Sequence, residues 1–176
     1  MAYTTPSTWV AGAVLTAAQL NTQLRDNVRF LHGPPTARVQ GITDSTFANG
    51  AYTATIFSQE DWDSDNMWSS TANTKLICRT AGKYQVHAGV SFFGSTGGTI
   101  RGVGIRKNST TGSPTDGIHF HRHDMIAGTQ EVTISNLVSL TTGQFIQIVG
   151  FQDSGGNLGS SGTGGMPFCS MLWVSS

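Results

Sequence analysis

Gly82-Lys83-Tyr84-Gln85-Val86-His87-Ala88-Gly89-Val90-Ser91-Phe92-Phe93 is the stretch that decides how this chain is read. Tyr84, Val86, Ala88, Val90 and Phe92 occupy every second position, with Gln85, His87, Gly89 and Ser91 between them, which gives an extended strand with one apolar face. Working outward, strand-like runs recur at 39–43, 52–58, 75–79, 100–107, 131–140, 144–151 and 168–174. Gly97-Gly98, Thr142-Gly143 and the stretches 108–112 and 155–165 supply the breaks between them. About eight short strands without a fixed repeat predict an all-β antiparallel sandwich or jelly roll, and they argue against a solenoid or propeller.

Upstream of Pro34-Pro35 the period changes to that of a short α-helix. Thr16 stands as N-cap with Gln19 three residues on, and Leu15 and Leu20 take the two positions of a hydrophobic staple. Leu20, Leu24, Val28 and Leu31 then form one stripe, and Gly33 and Pro34 end the helix. The chain thus divides into an N-terminal anchor arm and helix, 1–35, and a head domain, 36–176. A helix of about four turns is marginal alone in water and has to pack on something. Either it lies on its own domain, or it joins sister copies in a bundle with Ala17, Leu20, Leu24 and Leu31 inward. In the second case Asn27 also points inward, as a polar residue that fixes register.

Two strands carry more apolar surface than one sandwich face hides. In 144–151, Phe145, Val149 and Phe151 share a face while Ile146 and Ile148 take the other; in 168–174, Phe168, Leu172 and Val174 oppose Met171 and Trp173. Antiparallel sheets normally turn polar residues to water, and burial of each large apolar side chain is worth roughly 1.5–3 kcal/mol, so a second covering layer is expected. Loops of the same chain are one cover. Sister copies are the other, and that reading makes Ile146, Ile148, Met171 and Trp173 interface residues together with Leu20, Leu24, Asn27 and Leu31.

Composition narrows the function. The chain has 176 residues with Lys+Arg 10 against Asp+Glu 10, and only 11% of residues are charged. This balance supplies no field to hold nucleic acid or an anionic membrane. No apolar run reaches the length of a membrane span, which speaks against membrane insertion, and the N-terminus lacks the pattern of a signal peptide. Gly 22, with 18 Ser and 23 Thr, fits a loop-rich all-β chain. Cys78 and Cys169 sit in apolar strand-like runs, where free buried thiols are expected.

The run from Gly82 to Phe92, then Ile105-Arg106-Lys107-Asn108, then Thr142-Gly143-Gln144-Phe145-Ile146-Gln147-Ile148 and the closing strand resemble the jelly roll of the complement globular head and tumour necrosis factor superfamily. Gln144 stands where that family usually has Asp. The resemblance implies a ten-stranded sandwich assembled as a tight homotrimer, with the strands around Tyr84, Ile146 and Leu172 facing the three-fold axis. The N-terminal Trp9-Val10-Ala11-Gly12, Leu15-Thr16-Ala17-Ala18-Gln19-Leu20-Asn21 and Arg25-Asp26-Asn27 resemble the corresponding segments of structural proteins of tailed bacteriophages. That second resemblance implies a virion-surface protein assembled in the host bacterial cytoplasm. It would be a capsid decoration, head fibre, tail tip or tail fibre, with other capsid or tail proteins as partners.

Candidate chemistry is sparse. His119, His121 and His123 alternate with Phe120 and Arg122, so an extended strand projects all three imidazoles from one face, where a transition metal could be shared. A solvated strand face is the competing reading. In trimeric phage tail-fibre tips, His-x-His pairs hold metal, and this sequence resembles them in that dipeptide pattern. Asp61, Asp63 and Asp65 alternate as in the opening of a calcium loop, yet Asn66 stands where that loop needs Gly and Ala72 where it needs Glu; only a looser calcium site remains. Trp62 and Trp68 beside this acidic loop could stack on a host surface glycan, which would make the chain a carbohydrate-binding receptor module. A glycan-degrading tail enzyme is the weakest alternative. The chain has no nucleophile elbow, phosphate loop or metalloprotease helix, and a non-enzymatic role is expected.

Overall fold

The computed structural model describes residues 3–42, 45–95, 97–111, 120–160 and 165–176. The chain separates into two compact units, Met1–Pro34 with Ser176, and Pro35–Ser175.

In the first unit a helix runs as α1 (Ala17–Leu20), a π-helical stretch (Asn21–Asp26) and α2 (Asn27–His32). The Thr16 capping box forms: Thr16 Oγ1 accepts from the Gln19 N–H at 3.2 Å, and Gln19 Oε1 accepts from the Thr16 N–H at 2.9 Å. Asn27 does not point into a bundle. Its Nδ2 donates to the Thr4 carbonyl at 2.8 Å and its Oδ1 accepts from the Thr4 N–H at 2.9 Å, so it clasps the N-terminal arm and is buried. Ser7 N–H donates to Gln23 Oε1 at 2.8 Å, and Tyr3 packs on Phe30. The reason is the π-helical stretch: its wider turn rotates later residues backward, swinging Asn27 from the leucine stripe toward the Gln23 and Phe30 side. Leu20, Leu24, Val28 and Leu31 are left exposed as a stripe.

The second unit is a sandwich of two antiparallel sheets. Sheet I orders β4 (Gln59–Asp63), β1 (Thr36–Gln40), β12 (Phe168–Ser175), β6 (Gly82–Ser95) and β9 (Gly128–Leu140). Sheet II orders β3 (Thr53–Ala54), β10 (Phe145–Gln152), β7 (Ile100–Lys107) and β8 (Phe120–Asp124), with β5 (Leu76–Ile77) also pairing β10. A small ribbon pairs β11 (Leu158–Gly159) with β2 (Thr46–Phe47). In β6 the alternation holds: Tyr84, Val86, Ala88, Val90 and Phe92 are buried, and Gln85 and His87 face water.

Ile146 and Ile148 are fully buried inside the single chain and are not interface residues. Cross-strand pairing of Ile148 with Ile105 and of Gly150 with Val103 turns this side of β10 toward sheet I, where Phe47 lies over Gly150 and against Phe92 at 5.1 Å. β10 also belongs to sheet II, apart from Tyr84 and Leu172 in sheet I, so these three strands do not share one axis-facing sheet. Its other side carries Val149 beside Ala54 of β3, and Phe151 in a cluster with Tyr52 and Phe120, with centroids 5.0–6.0 Å apart. Gly102 has no side chain because the Phe120 ring occupies that space. The second layer over β10 therefore comes from its own chain.

Met171 and Trp173 are likewise core residues. Pairing of Met171 with Val86 and Ala37 sets them inward, Trp173 Nε1 donates to the Ala81 carbonyl at 3.1 Å, and Leu172 and Val174 face out. Cys78 and Cys169 are free and buried, and burial raises both thiol pKa values.

Candidate functional site

The outward face of sheet I carries several exposed apolar side chains. One row of side chains crosses four strands, Thr36, Leu172, Gln85 and Leu137 in the order β1, β12, β6, β9, and Trp62 of β4 reaches it diagonally, its Nε1 donating to Thr36 Oγ1 at 3.3 Å. Trp62, Leu172 and Leu137 are 49%, 47% and 52% exposed, and Val174 beside them is 52% exposed. The next row runs Trp62, Arg38, Ser170, His87, Ser135, and the third Gln40, Phe168, Gly89, Thr133. Phe168 lies over Gly89, where a Cβ would collide with its ring, and makes an edge contact with His87 at 5.1 Å while the Arg38 guanidinium covers it at 5.3 Å. Its exposed side chains are a mixture of apolar and polar groups with little charge.

The acidic segment expected as a ligand loop is mostly edge strand β4. A register shift between Arg38 and Val39 leaves Asp61 as an extra residue opposite β1, and this bulge aims its carboxylate at the outward side chains of that strand. Asp61 accepts from Gln40 Nε2, from Arg38 Nε at 3.0 Å and from Gln59 Nε2 at 3.2 Å. These bonds, that of Gln40 foremost, hold its pKa below the ordinary carboxylate value. Asp63 instead accepts from the Asp65 and Trp68 backbone N–H groups at 3.0 and 2.8 Å, closing the turn after the strand. Among the described residues the three carboxylates do not come together as a group placed to enclose a metal ion. Trp62 is half-exposed beside Arg38, whereas Trp68 is half-buried, so the two do not make one stacking platform.

Of the three alternating histidines, His119 lies outside the described residues. His121 and His123 share one side of β8, cross-strand from Val103 and Arg101, with ring centroids 4.7 Å apart and planes at 70°. His121 Nδ1 lies 2.7 Å from the Thr133 carbonyl. His121 and Phe120 wall an open depression of about 400 Å³, floored by Thr133, Ile134 and Ser135 and closed by His87. Among the described residues no group of three or more His, Cys, Asp or Glu side chains is placed to enclose a metal ion. Nor, among them, is any helix long and apolar enough to cross a membrane.

Sequence reasoning missed β4 because its acidic composition reads as loop. It missed the sheet I face because Leu137 stands singly among polar neighbours; the signal that could have found it was the parity of Leu172 with Gln85 across the β12–β6 pair.

No protein-family model matches the chain, and no curated protein matches it. Solved structures do. The globular domain of zebrafish complement 1qA protein superposes with a TM-score of 0.54 at 12% identity, covering 81% of this chain and 99% of that domain. Murine APRIL at pH 8.0 gives 0.54 at 12% identity, covering 80% and 98%. The Eiger TNF of S. frugiperda gives 0.54 at 11%, covering 80% and 92%. The head thus has the jelly-roll fold of the complement globular head and tumour necrosis factor domains, as the strand motifs around Tyr84 and Ile146 led us to expect.

Proposed function

We propose that this protein is a non-enzymatic, homotrimeric structural protein of the bacteriophage virion surface, with the helical arm as its anchor and the jelly roll as a projecting knob. The observation that carries the reading is that the single chain leaves two separate apolar surfaces without cover: the Leu20, Leu24, Val28, Leu31 stripe, and the Trp62, Leu172, Leu137, Val174 face of sheet I. A sister copy is the occupant the fold favours, because self-association is the habit of the superfamily whose jelly roll this chain shares. The phage assignment rests on the N-terminal motifs from Trp9 to Asn27, and capsid or tail proteins are the partners it implies. Three heads on one stem turn weak contacts with a particle or a host surface into avid ones.

Light scattering on the full chain at micromolar concentration tests the assembly. A mass three times that of the 18.6 kDa chain is expected. Leu137→Glu with Leu172→Glu should return it to a monomer with an unchanged β-sheet spectrum. A monomeric wild type would remove the trimer. Mass spectrometry of purified particles tests the location: the chain should be a stoichiometric virion component, and its absence from particles would remove the phage role.

A further inference from the structure

The edge strand β8 presents a pair of imidazoles whose geometry suits a shared metal ion. His121 Nδ1 faces the Thr133 carbonyl at 2.7 Å. A carbonyl oxygen only accepts, so Nδ1 carries a proton, and in the neutral ring Nε2 is then the nitrogen with the lone pair. Metal-binding histidines are held in this way, with the second ring nitrogen donating to a carbonyl that fixes tautomer and orientation. His123 stands two residues on, on the same side of the strand, and both rings are exposed.

The ring separation points the same way. An ion about 2.1 Å from an imidazole nitrogen lies roughly 3.2 Å from that ring's centroid, so two rings on neighbouring corners of its coordination shell have centroids about 4.5–5.2 Å apart. The His121 and His123 centroids are 4.7 Å apart with planes inclined by 70°. The Arg101 guanidinium, cross-strand from His123, is buried and committed to the Gly97 carbonyl at 2.7 Å and to Asp153. It therefore does not stand between the rings and solvent.

We propose that His121 and His123 chelate one divalent transition-metal ion per chain, with water completing its shell. Affinity should follow the usual order for nitrogen ligands, Cu²⁺ above Ni²⁺ above Mn²⁺. Both ligands lie on one strand of one chain, so the site is independent of trimer formation and of any role on a particle.

Isothermal titration of NiCl₂ into the full chain without an affinity tag reads the site. One Ni²⁺ per chain is expected. His121→Ala and His123→Ala should each weaken binding at least tenfold, whereas His87→Ala and Arg122→Ala should bind as the wild type does. Thermal melts establish that the variants are folded, and His121→Phe replaces His121→Ala if the latter is not. No titratable Ni²⁺ in the wild type, or a tenfold loss produced by His87→Ala, overturns the assignment. Long-range ¹H–¹⁵N spectra of the Zn²⁺-loaded chain supply a readout that a merely structural role would not move. They should show His121 protonated at Nδ1 and metal-shifted at Nε2; a metal shift at Nδ1 would equally overturn it.

Discussion

Strands β10 and β12 have the same pattern in sequence, apolar residues on both faces, and the molecule treats them differently. β10 runs inside sheet II with Ile146 and Ile148 against the core and Val149 buried on the other side, beneath its own chain's β3 and the Tyr52, Phe120 and Phe151 rings. β12 runs inside sheet I with Met171 and Trp173 in the core, but Leu172 and Val174 meet solvent. A doubly apolar strand therefore tells how many layers are needed, and it does not tell which molecule supplies the second. For β10 the supplier is local. For β12 the described residues leave the outer side half open.

The sharpest way to break this contrast is to truncate one residue on each strand. Ile148→Ala empties space at the centre of the sandwich and should cost roughly 2–5 kcal/mol. Leu172→Ala removes a side chain already half in water and should change the stability of the isolated head by less than about 0.5 kcal/mol. Chemical denaturation monitored by tryptophan fluorescence, at a concentration low enough to keep the chain monomeric, compares the two. Equal losses would mean that the outer face of β12 is covered within the chain after all.

A somewhat smaller effect is expected beneath the aromatic cover of β10. Gly102 of β7 lies under the Phe120 ring, beside Gly104, the cross-strand partner of Phe120, and a side chain at Gly102 would enter that ring. Gly102→Val should push that ring off the sheet, at a cost of about 1–3 kcal/mol. Near-ultraviolet circular dichroism should lose aromatic intensity while the far-ultraviolet spectrum is kept. An unchanged near-ultraviolet spectrum would show that Phe120 does not seal this face.

How much of this could be read in the sequence follows from the range of the forces involved. The inner face of β6 and the capping box at Thr16 were legible, because alternation and capping are set by residues adjacent in the chain. The jelly roll was legible through its motifs around Gly82 and Thr142. Which side of β12 faces the core was not: the parity depends on pairing with Val86 and Ala37, far apart in sequence, and a one-residue change of register inverts it. Asn27 was misplaced for a local reason with no clear signature in composition, the widened turn at Asn21–Asp26. The acidic run was misread because carboxylates at alternate positions look alike in a loop and on an edge strand. Only the bulge at Arg38 separates Asp61, turned toward β1, from Asp63, turned into its own turn. His121 and His123 were legible as a pair, but the Thr133 carbonyl that fixes one of them was not.

In the helical unit, Asn27→Ala removes both hydrogen bonds to Thr4 and should cost about 1–2 kcal/mol of local stability. Faster amide hydrogen exchange at Thr4 and Ser7 would report release of the arm, with the head unaffected. Retained protection at Thr4 would show that the Tyr3 and Phe30 contact holds the arm without the asparagine.

The smallest expected effect concerns how sheet I tempers its open face. Asp61 holds Arg38, and Arg38 lies over Phe168 at 5.3 Å and beside Trp62 at 5.9 Å, so one ion pair keeps a cation across the edge of the apolar surface. The Gln40, Arg38 and Gln59 bonds lower the Asp61 pKa below its unfolded value, so the folded state binds this proton less readily than the unfolded chain does. The stabilisation is complete above the ordinary carboxylate range near pH 4 and is lost as pH falls through the lowered value. A single partly exposed pair is worth little, so wild type should lose only about 1–3 °C of Tm more than Asp61→Asn between pH 6 and pH 3. Parallel melts across that range measure it. If the two proteins lose the same amount, Asp61 is not what holds Arg38 over the ring, and the face that β12 leaves open is as apolar at neutral pH as it is in acid.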